Sequence, residues 1–433
     1  MARRKTALLM TVGTGIGEHK VEKAKKLSHG LFSSIKYHNP DEVYLFGSSD
    51  SRLTVDCLKQ HYKNRFDEEF DFYEFYELNH IDNFKEYFDA FKDKIQELSD
   101  YKVIVDYTSG TKTMTMSAAI ASMIYRKDLV VMSGDRGKTG IVDEGTEKPT
   151  PQNLYPVYDE LMFEKINGLF NSNRFESGSI LLDDIIGDNH DKEIYTKLFE
   201  IYNCFDIFDY ETAYKLFDDE FLNEVRQRWP KKAQEFSNNR KSLESMRKLD
   251  PEVVDLGKKP WKNKKYKKRC YYILASLLNN AKRRFEEHKY DDAIARLYRS
   301  FEFIAQIELK TKYGLITSDI DVEILKNRKL DEEYIKNLEN SRDDRSGKIK
   351  IGLAEDYHLL NALGNELGAN YHEKEHVISN VTHKRNNSIL AHGFEFSSNE
   401  DYLDFEEIVL NMAKLQNDNI VRFIEESKFP KLD

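Results

Sequence analysis

The segment HKRNNSILAHG, His383–Gly393, sets an arginine and a histidine, Arg385 and His392, with six residues between them among small and polar side chains. Arginine offers phosphoryl oxygens a permanent charge in a bidentate fork. Histidine can take or give a proton near neutral pH. Breaking an RNA strand without a metal needs a base for the 2′-hydroxyl, a cation for the crowded phosphate and an acid for the leaving 5′-oxygen. On a single helix seven positions turn through about 700°. The two side chains are therefore expected within about 20° of one face, about 10 Å apart along the axis, a gap that a phosphate can fill. Asn386, Asn387 and Ser388 follow Arg385 directly, and the small Ala391 and Gly393 flank His392. A second pair, Arg283 and His288, diverges by about 140° on a helix and is expected on a solvated face. No Asp/Glu/His cluster with two-metal spacing accompanies Arg385 and His392, so no metal is expected there. The nucleophile is then the RNA's own 2′-hydroxyl, leaving a 2′,3′-cyclic phosphate and a 5′-hydroxyl.

The N-terminal region carries a different chemistry. Asp106–Met114, DYTSGTKTM, runs into a small-residue helix. Gly110 permits a tight turn, and Thr108, Ser109 and Thr111 supply hydroxyls. Lys112 brings a charge to a helix N-terminus, and together these make an anion site. The loop is not a Walker motif, and Gly13, Gly15 and Gly17 lack the dinucleotide-binding spacing.

The elements that must position these residues fall into three regions. Residues 1–150 alternate short β-branched runs with helical stretches. Thr6–Val12, Glu42–Phe46, Lys102–Asp106 and Leu129–Met132 end in GTGIG, GSSD, YTSGTKT and SGDRGKTG. This predicts an α/β, Rossmann-like, parallel doubly wound sheet with all four polar loops at the carboxyl ends of its strands, where such sheets bind ligands. Residues 151–265 read as a helical connector whose aromatics are expected in a core. Its end is basic, Gly257–Arg269 (GKKPWKNKKYKKR). Residues 266–433 read as an all-α domain. It has an antiparallel helix pair turning near Lys289–Asp291, a loop-rich insert at Lys326–Lys350 and a last amphipathic helix over Asp401–Lys428.

The net charge of −10 excludes a protein that coats nucleic acid, so any polyanion must meet a local basic patch. Hydrophobic residues at 40% against 33% charged fit a soluble globular chain, and no apolar run approaches a membrane span. The basic start MARRKTALLM resembles a signal peptide, but glycines follow at once, and it reads as a first buried strand. Cys57, Cys204 and Cys270 are odd in number and far apart, which predicts free thiols in a reducing cytoplasm.

RNNSILAHG in an all-helical C-terminal domain resembles the Arg–x–His signature of HEPN ribonucleases. DYTSGTKTM in an α/β domain resembles CARF domains. The order CARF, connector, HEPN is similar to the accessory ribonucleases of type III CRISPR systems, the Csm/Csx group, and DDAIARLYRSFEFIAQ is similar to that group's HEPN core. The resemblance implies single-stranded RNA as substrate and a cyclic oligoadenylate, tetra- or hexa-adenylate, as allosteric activator rather than a cofactor. It also implies a homodimer with a composite active site. Arg385 and His392 take the catalytic roles, with Asn386 and Ser388 in support. Thr111 and Lys112 match the CARF motif best, within a ligand set of Thr11, Gly13, Thr14, Gly15, Ser48, Ser49, Thr108, Ser109, Gly110, Thr111 and Lys112. A toxin-type HEPN nuclease answering to another nucleotide and a non-catalytic nucleotide-binding regulator are the competing readings.

Overall fold

The computed structural model describes residues 3–14, 19–136, 141–187, 190–247, 264–328, 330–389 and 393–433. Its contacts divide the chain into two units, 1–161 and 162–433.

In the first unit the apolar runs form strands because each is buried on both faces. In chain order these elements are β1 (Thr6–Val12), α1 (Lys20–His38), β2 (Glu42–Gly47), α2 (Arg52–Phe66), β3 (Tyr73–Glu77), α3 (Phe84–Glu97), β4 (Lys102–Asp106), α4 (Lys112–Ile124), β5 (Asp128–Ser133) and β6 (Lys148–Gln152). The sheet order is β3-β2-β1-β4-β5-β6. Neighbours from β3 through β5 pair in parallel, and β6 returns antiparallel to β5. Alternate residues serve the two faces. Ala7, Leu9, Phe46, Val103 and Val105 pack with Phe91 and Ile95 of α3 and Ala118 and Ala121 of α4. Leu8, Met10, Val43, Leu45 and Ile104 pack with Leu31 and Ile35 of α1 and Val55 and Leu58 of α2.

The sheet differs from the expected one at both edges. β3 was not foreseen, since its aromatics alternate with acids and stay half-exposed. Nor was β6, whose sequence KPTPQ holds two prolines, a residue that only an edge strand tolerates.

The second unit is helical. The boundary falls inside α5 (Tyr155–Asn171), followed by α6 (Phe175–Leu182), α7 (His190–Asp206), α8 (Tyr210–Leu216), α9 (Asp219–Arg228) and α10 (Ala233–Met246). The aromatics of α7 are core, as expected: Tyr195, Phe199, Tyr202 and Phe205 are all but inaccessible. Then come α11 (Lys264–Glu286), α12 (Tyr290–Glu308), α13 (Val322–Lys326), α14 (Glu332–Asn340), α15 (Leu353–Ala362), α16 (Glu366–Glu373), α17 (Glu375–Asn386), α18 (Asn399–Gln416) and α19 (Ile420–Glu426). The turn between α11 and α12 lies at Glu287–Lys289. The Lys326–Lys350 insert is loop-rich as expected, around the short α14, and one expectation is corrected: the last helix breaks at Asn417–Asn419, three turn-forming residues.

Candidate functional site

At the carboxyl edge of the sheet, β1 and β4 lie side by side, so their following loops meet. Thr11, buried, donates its hydroxyl to the Ser109 carbonyl. The Gly13 amide donates to the Ser109 hydroxyl at 3.0 Å. Gly110 has φ +125°, and a Cβ on Gly13 would stand 2.8 Å from the Gly110 nitrogen, so glycine is required for the two loops to close. The Ser51 hydroxyl donates to Val12 O at 2.8 Å and the Thr54 hydroxyl to Gly13 O at 2.8 Å. The Ser48 amide in turn donates to Ser51 Oγ at 3.1 Å. Ser51 and Thr54 were not among the expected site residues; only the sheet register reveals them.

The β4 loop is anchored from below. Asp106 is buried and accepts the Thr108 amide at 2.7 Å, and burial raises its carboxyl above the ordinary aspartate range. Across the sheet the Met132 amide of β5 donates to Thr108 Oγ1 at 2.7 Å. Thr111 caps α4 by accepting the Met114 amide at 3.2 Å. Thr11 and Ser109 are buried, Gly13, Thr14, Ser48, Thr108 and Thr111 half-buried, and Ser49, Gly110 and Lys112 exposed. Lys112 is the first residue of α4, so its charge adds to the positive end of the helix dipole. Gly15 lies outside the described residues.

In the second unit Arg385 is the penultimate residue of α17, and this corrects the one-helix geometry. The helix ends at Asn386, so helical spacing does not relate Arg385 to position 392. Beyond it the chain folds back on itself. The Ser388 amide donates to Arg385 O at 3.1 Å, Gly393 N to Ser388 O at 3.2 Å, and Glu395 N to Asn387 O at 3.0 Å. A Cβ on Gly393 would stand 1.9 Å from Asn387 O, so this closure needs glycine. His392 lies outside the described residues. The Arg385 guanidinium rests over the Tyr298 ring of α12 at 4.3 Å, and its Nη1 donates to Asn386 Oδ1 at 3.0 Å. No carboxylate of a described residue pairs with it. Burial raises the Tyr298 hydroxyl above its ordinary pKa, and the Arg385 charge opposes that. Ser388 is buried in the loop, while Phe394 and Phe396 beyond it are 90% and 80% exposed. Tyr298 was missed by sequence reasoning, because its ring meets Arg385 only through the packing of α17 on α12.

The Arg283–His288 expectation is corrected too. Arg283 is buried, not solvated: its Nε donates to Asp206 Oδ1 at 2.8 Å and its guanidinium lies 3.8 Å from the Phe429 ring centre. His288 is exposed beside the Tyr290 hydroxyl at 3.0 Å. The two do not form a site.

Comparison with known proteins adds three findings. Residues 262–416 match the family model described as the Csm6 HEPN domain, and residues 158–248 match the Csm6 6H domain. Together the two cover more than half of the chain. Among solved structures, the fold is similar to that of Enterococcus italicus Csm6 bound to cyclic hexa-2′-fluoro-hexa-dAMP. The TM-score is 0.61 at 11% identity, over 98% of this chain and 100% of that one. No curated protein sequence matches.

Proposed function

The chain belongs to the Csm6 family of CARF–HEPN ribonucleases of type III CRISPR defence, and from that premise we propose that a cyclic oligoadenylate at the sheet's loop edge switches on metal-independent cleavage of single-stranded RNA at Arg385 and His392. The sensing part spans residues 1–150, the connector 151–265 and the nuclease part 266–433. The observation that carries the reading is Arg385 itself. It lies within the matched HEPN segment, on an aromatic ring at a helix end, with no carboxylate of a described residue to neutralise it. Such an arginine is available to a phosphate, and Asn386 orients its fork.

In this mechanism His392 moves the proton and Arg385 steadies the phosphoryl oxygens as the 2′-hydroxyl attacks. One copy supplies one such histidine, whereas the reaction needs both an acid and a base. A second copy completes the pair, and the exposed Phe394 and Phe396 beside the loop give it an apolar edge to cover. At the other end a cyclic oligoadenylate is a polyanion with rotational symmetry. The paired loops of two copies would meet it with Lys112 and with the amides around Gly110. The ligand in the Enterococcus italicus structure is of that class.

Product chemistry tests the reading. Under activation in excess EDTA, RNA should be cut to a 2′,3′-cyclic phosphate (or the 3′-phosphate from its opening) and a 5′-hydroxyl. An oligonucleotide with 2′-O-methyl at the cut position should bind and resist. Efficient cutting of that oligonucleotide, or a strict need for added divalent metal, would place the nucleophile elsewhere.

A further inference from the structure

We propose that a basic groove between the first turns of α11 and the α18–α19 junction is a binding track for single-stranded RNA, apart from the cleavage corner; it rests on the ribonuclease reading above. The groove has a volume of about 330 Å³ and is lined by Lys264, Lys267, Lys268, Tyr271, Arg422 and Phe423, with Asn417 and Asn419 beside them.

The sequence builds it locally. Positions 264, 267, 268 and 271 share one face of α11 by helical spacing. Asn279 donates to Ile424 O at 2.8 Å and Ser427 Oγ at 3.1 Å, which fixes α19 along α11. The Tyr271 and Phe423 rings then stack at 5.8 Å and 26°, giving the groove an aromatic floor between cationic walls. Arg422 lies over Phe423 at 5.4 Å and is held by Glu426 at 3.2 Å. Lys264, Lys267 and Lys268 have no carboxylate partner among the described residues. Asp418, exposed in the α18–α19 link, is the nearest acid in sequence to Asn417 and Asn419.

Two features give this arrangement a purpose other than stability. Lysines in the opening turns of a helix oppose its dipole, and α11 has no acid in its first turn to offset them. In a chain of net charge −10, such a local concentration of cations selects for a polyanion. Lysines along a groove with an aromatic floor suit single-stranded nucleic acid, whose phosphates meet the cations while a base stacks below. The side-chain amides of Asn417 and Asn419 can reach 2′-hydroxyls. Tyr298, under Arg385, lies on α12, antiparallel to α11. At helical rise its level is roughly 10–20 Å from the groove, a distance that a short run of RNA spans.

The test is binding of an uncleavable 2′-O-methyl RNA of about 20 nucleotides to the full chain, by fluorescence anisotropy across a salt series. The variant is Lys264→Gln/Lys267→Gln/Lys268→Gln, with each single substitution in parallel in case the triple fails to fold. The triple variant should weaken binding about tenfold or more and flatten the slope of log affinity against log salt by about 2, near 0.7 per lost phosphate contact. In cleavage assays KM for the long RNA should rise while kcat holds, and a dinucleotide substrate should show neither change. Unchanged affinity and slope in folded variants would overturn the groove. So would tighter, equally lysine-dependent binding of anionic vesicles or acidic peptides than of RNA. Wild-type protein that binds the RNA but never cleaves a 2′-hydroxyl substrate would instead overturn the ribonuclease reading and leave the groove standing.

Discussion

At the sheet's loop edge the buried hydroxyls are committed to the backbone of neighbouring loops, whereas at the end of α17 the reactive side chain is held by little more than a ring. Thr11, Ser109, Ser51 and Thr54 spend their side chains joining the β1, β2 and β4 loops. Arg385 has an aromatic face and one amide oxygen. The difference teaches where function can sit. In the first region the buried hydroxyls hold the loops together, which leaves exposed groups such as Lys112 and Ser49 open to the proposed ligand. In the second the arginine can change partners without disturbing the fold.

The buried carboxylates show the same contrast. Asp106 accepts the Thr108 amide, so its burial serves the loop. Asp356 on α15 is fully buried with neither carboxyl oxygen hydrogen-bonded among the described residues. Burial, reinforced by the nearby Glu302 charge, pushes it up to about 8.

The largest expected effect is at the corner. Arg385→Ala and His392→Ala should each reduce RNA cleavage by about two orders of magnitude or more, with thermal unfolding unchanged. Arg283→Ala should do the reverse: it removes one of the two arginines paired with Asp206, Arg284 remaining, so the melting temperature falls by the equivalent of about 1–3 kcal/mol. A cleavage-dead Arg283→Ala that melts like wild type would break the distinction between the two arginines.

A smaller effect is expected at Asp356. Between pH ~4 and ~8 the folded protein keeps a proton that the unfolded chain releases, so this group's contribution to stability falls as pH rises through that window and levels off above it. Asp356→Asn should therefore stabilise by a few kcal/mol near pH 8 and by almost nothing near pH 4. Equal melting shifts at both pH values would mean that the carboxyl is ionised in the fold.

What could be read in advance follows from the range of the interactions involved. β1, β2, β4 and β5 are apolar runs whose burial is written in their composition, and the pairing of α11 with α12 follows from periodicity and a short turn. β3 and β6 are edge strands with half-exposed or proline-bearing sequences, so neither signal applies. The helical relation of Arg385 to His392 failed locally. Asn387 and Ser388 compete for backbone hydrogen bonds and end α17, and Gly393 permits the close return that follows. Arg283 was misread because its partner, Asp206, stands 77 positions away in sequence. The site loops were legible as loops, but their interlock depends on the register of β1 against β4.

The central claim, that ligand at the sheet edge controls cleavage at the end of α17, is tested most directly by the initial rate of RNA cleavage as a function of cyclic oligoadenylate concentration. The wild-type chain and Lys112→Ala should be measured side by side, with tetra- and hexa-adenylate rings. The account predicts negligible cleavage without ligand and a saturable rise with one of the rings. For Lys112→Ala the half-maximal concentration should move up by about 10- to 150-fold, the loss of a charge-assisted hydrogen bond worth roughly 1.5–3 kcal/mol, to a similar plateau. Equal cleavage with and without ligand, or superimposable curves for the two proteins, would contradict it.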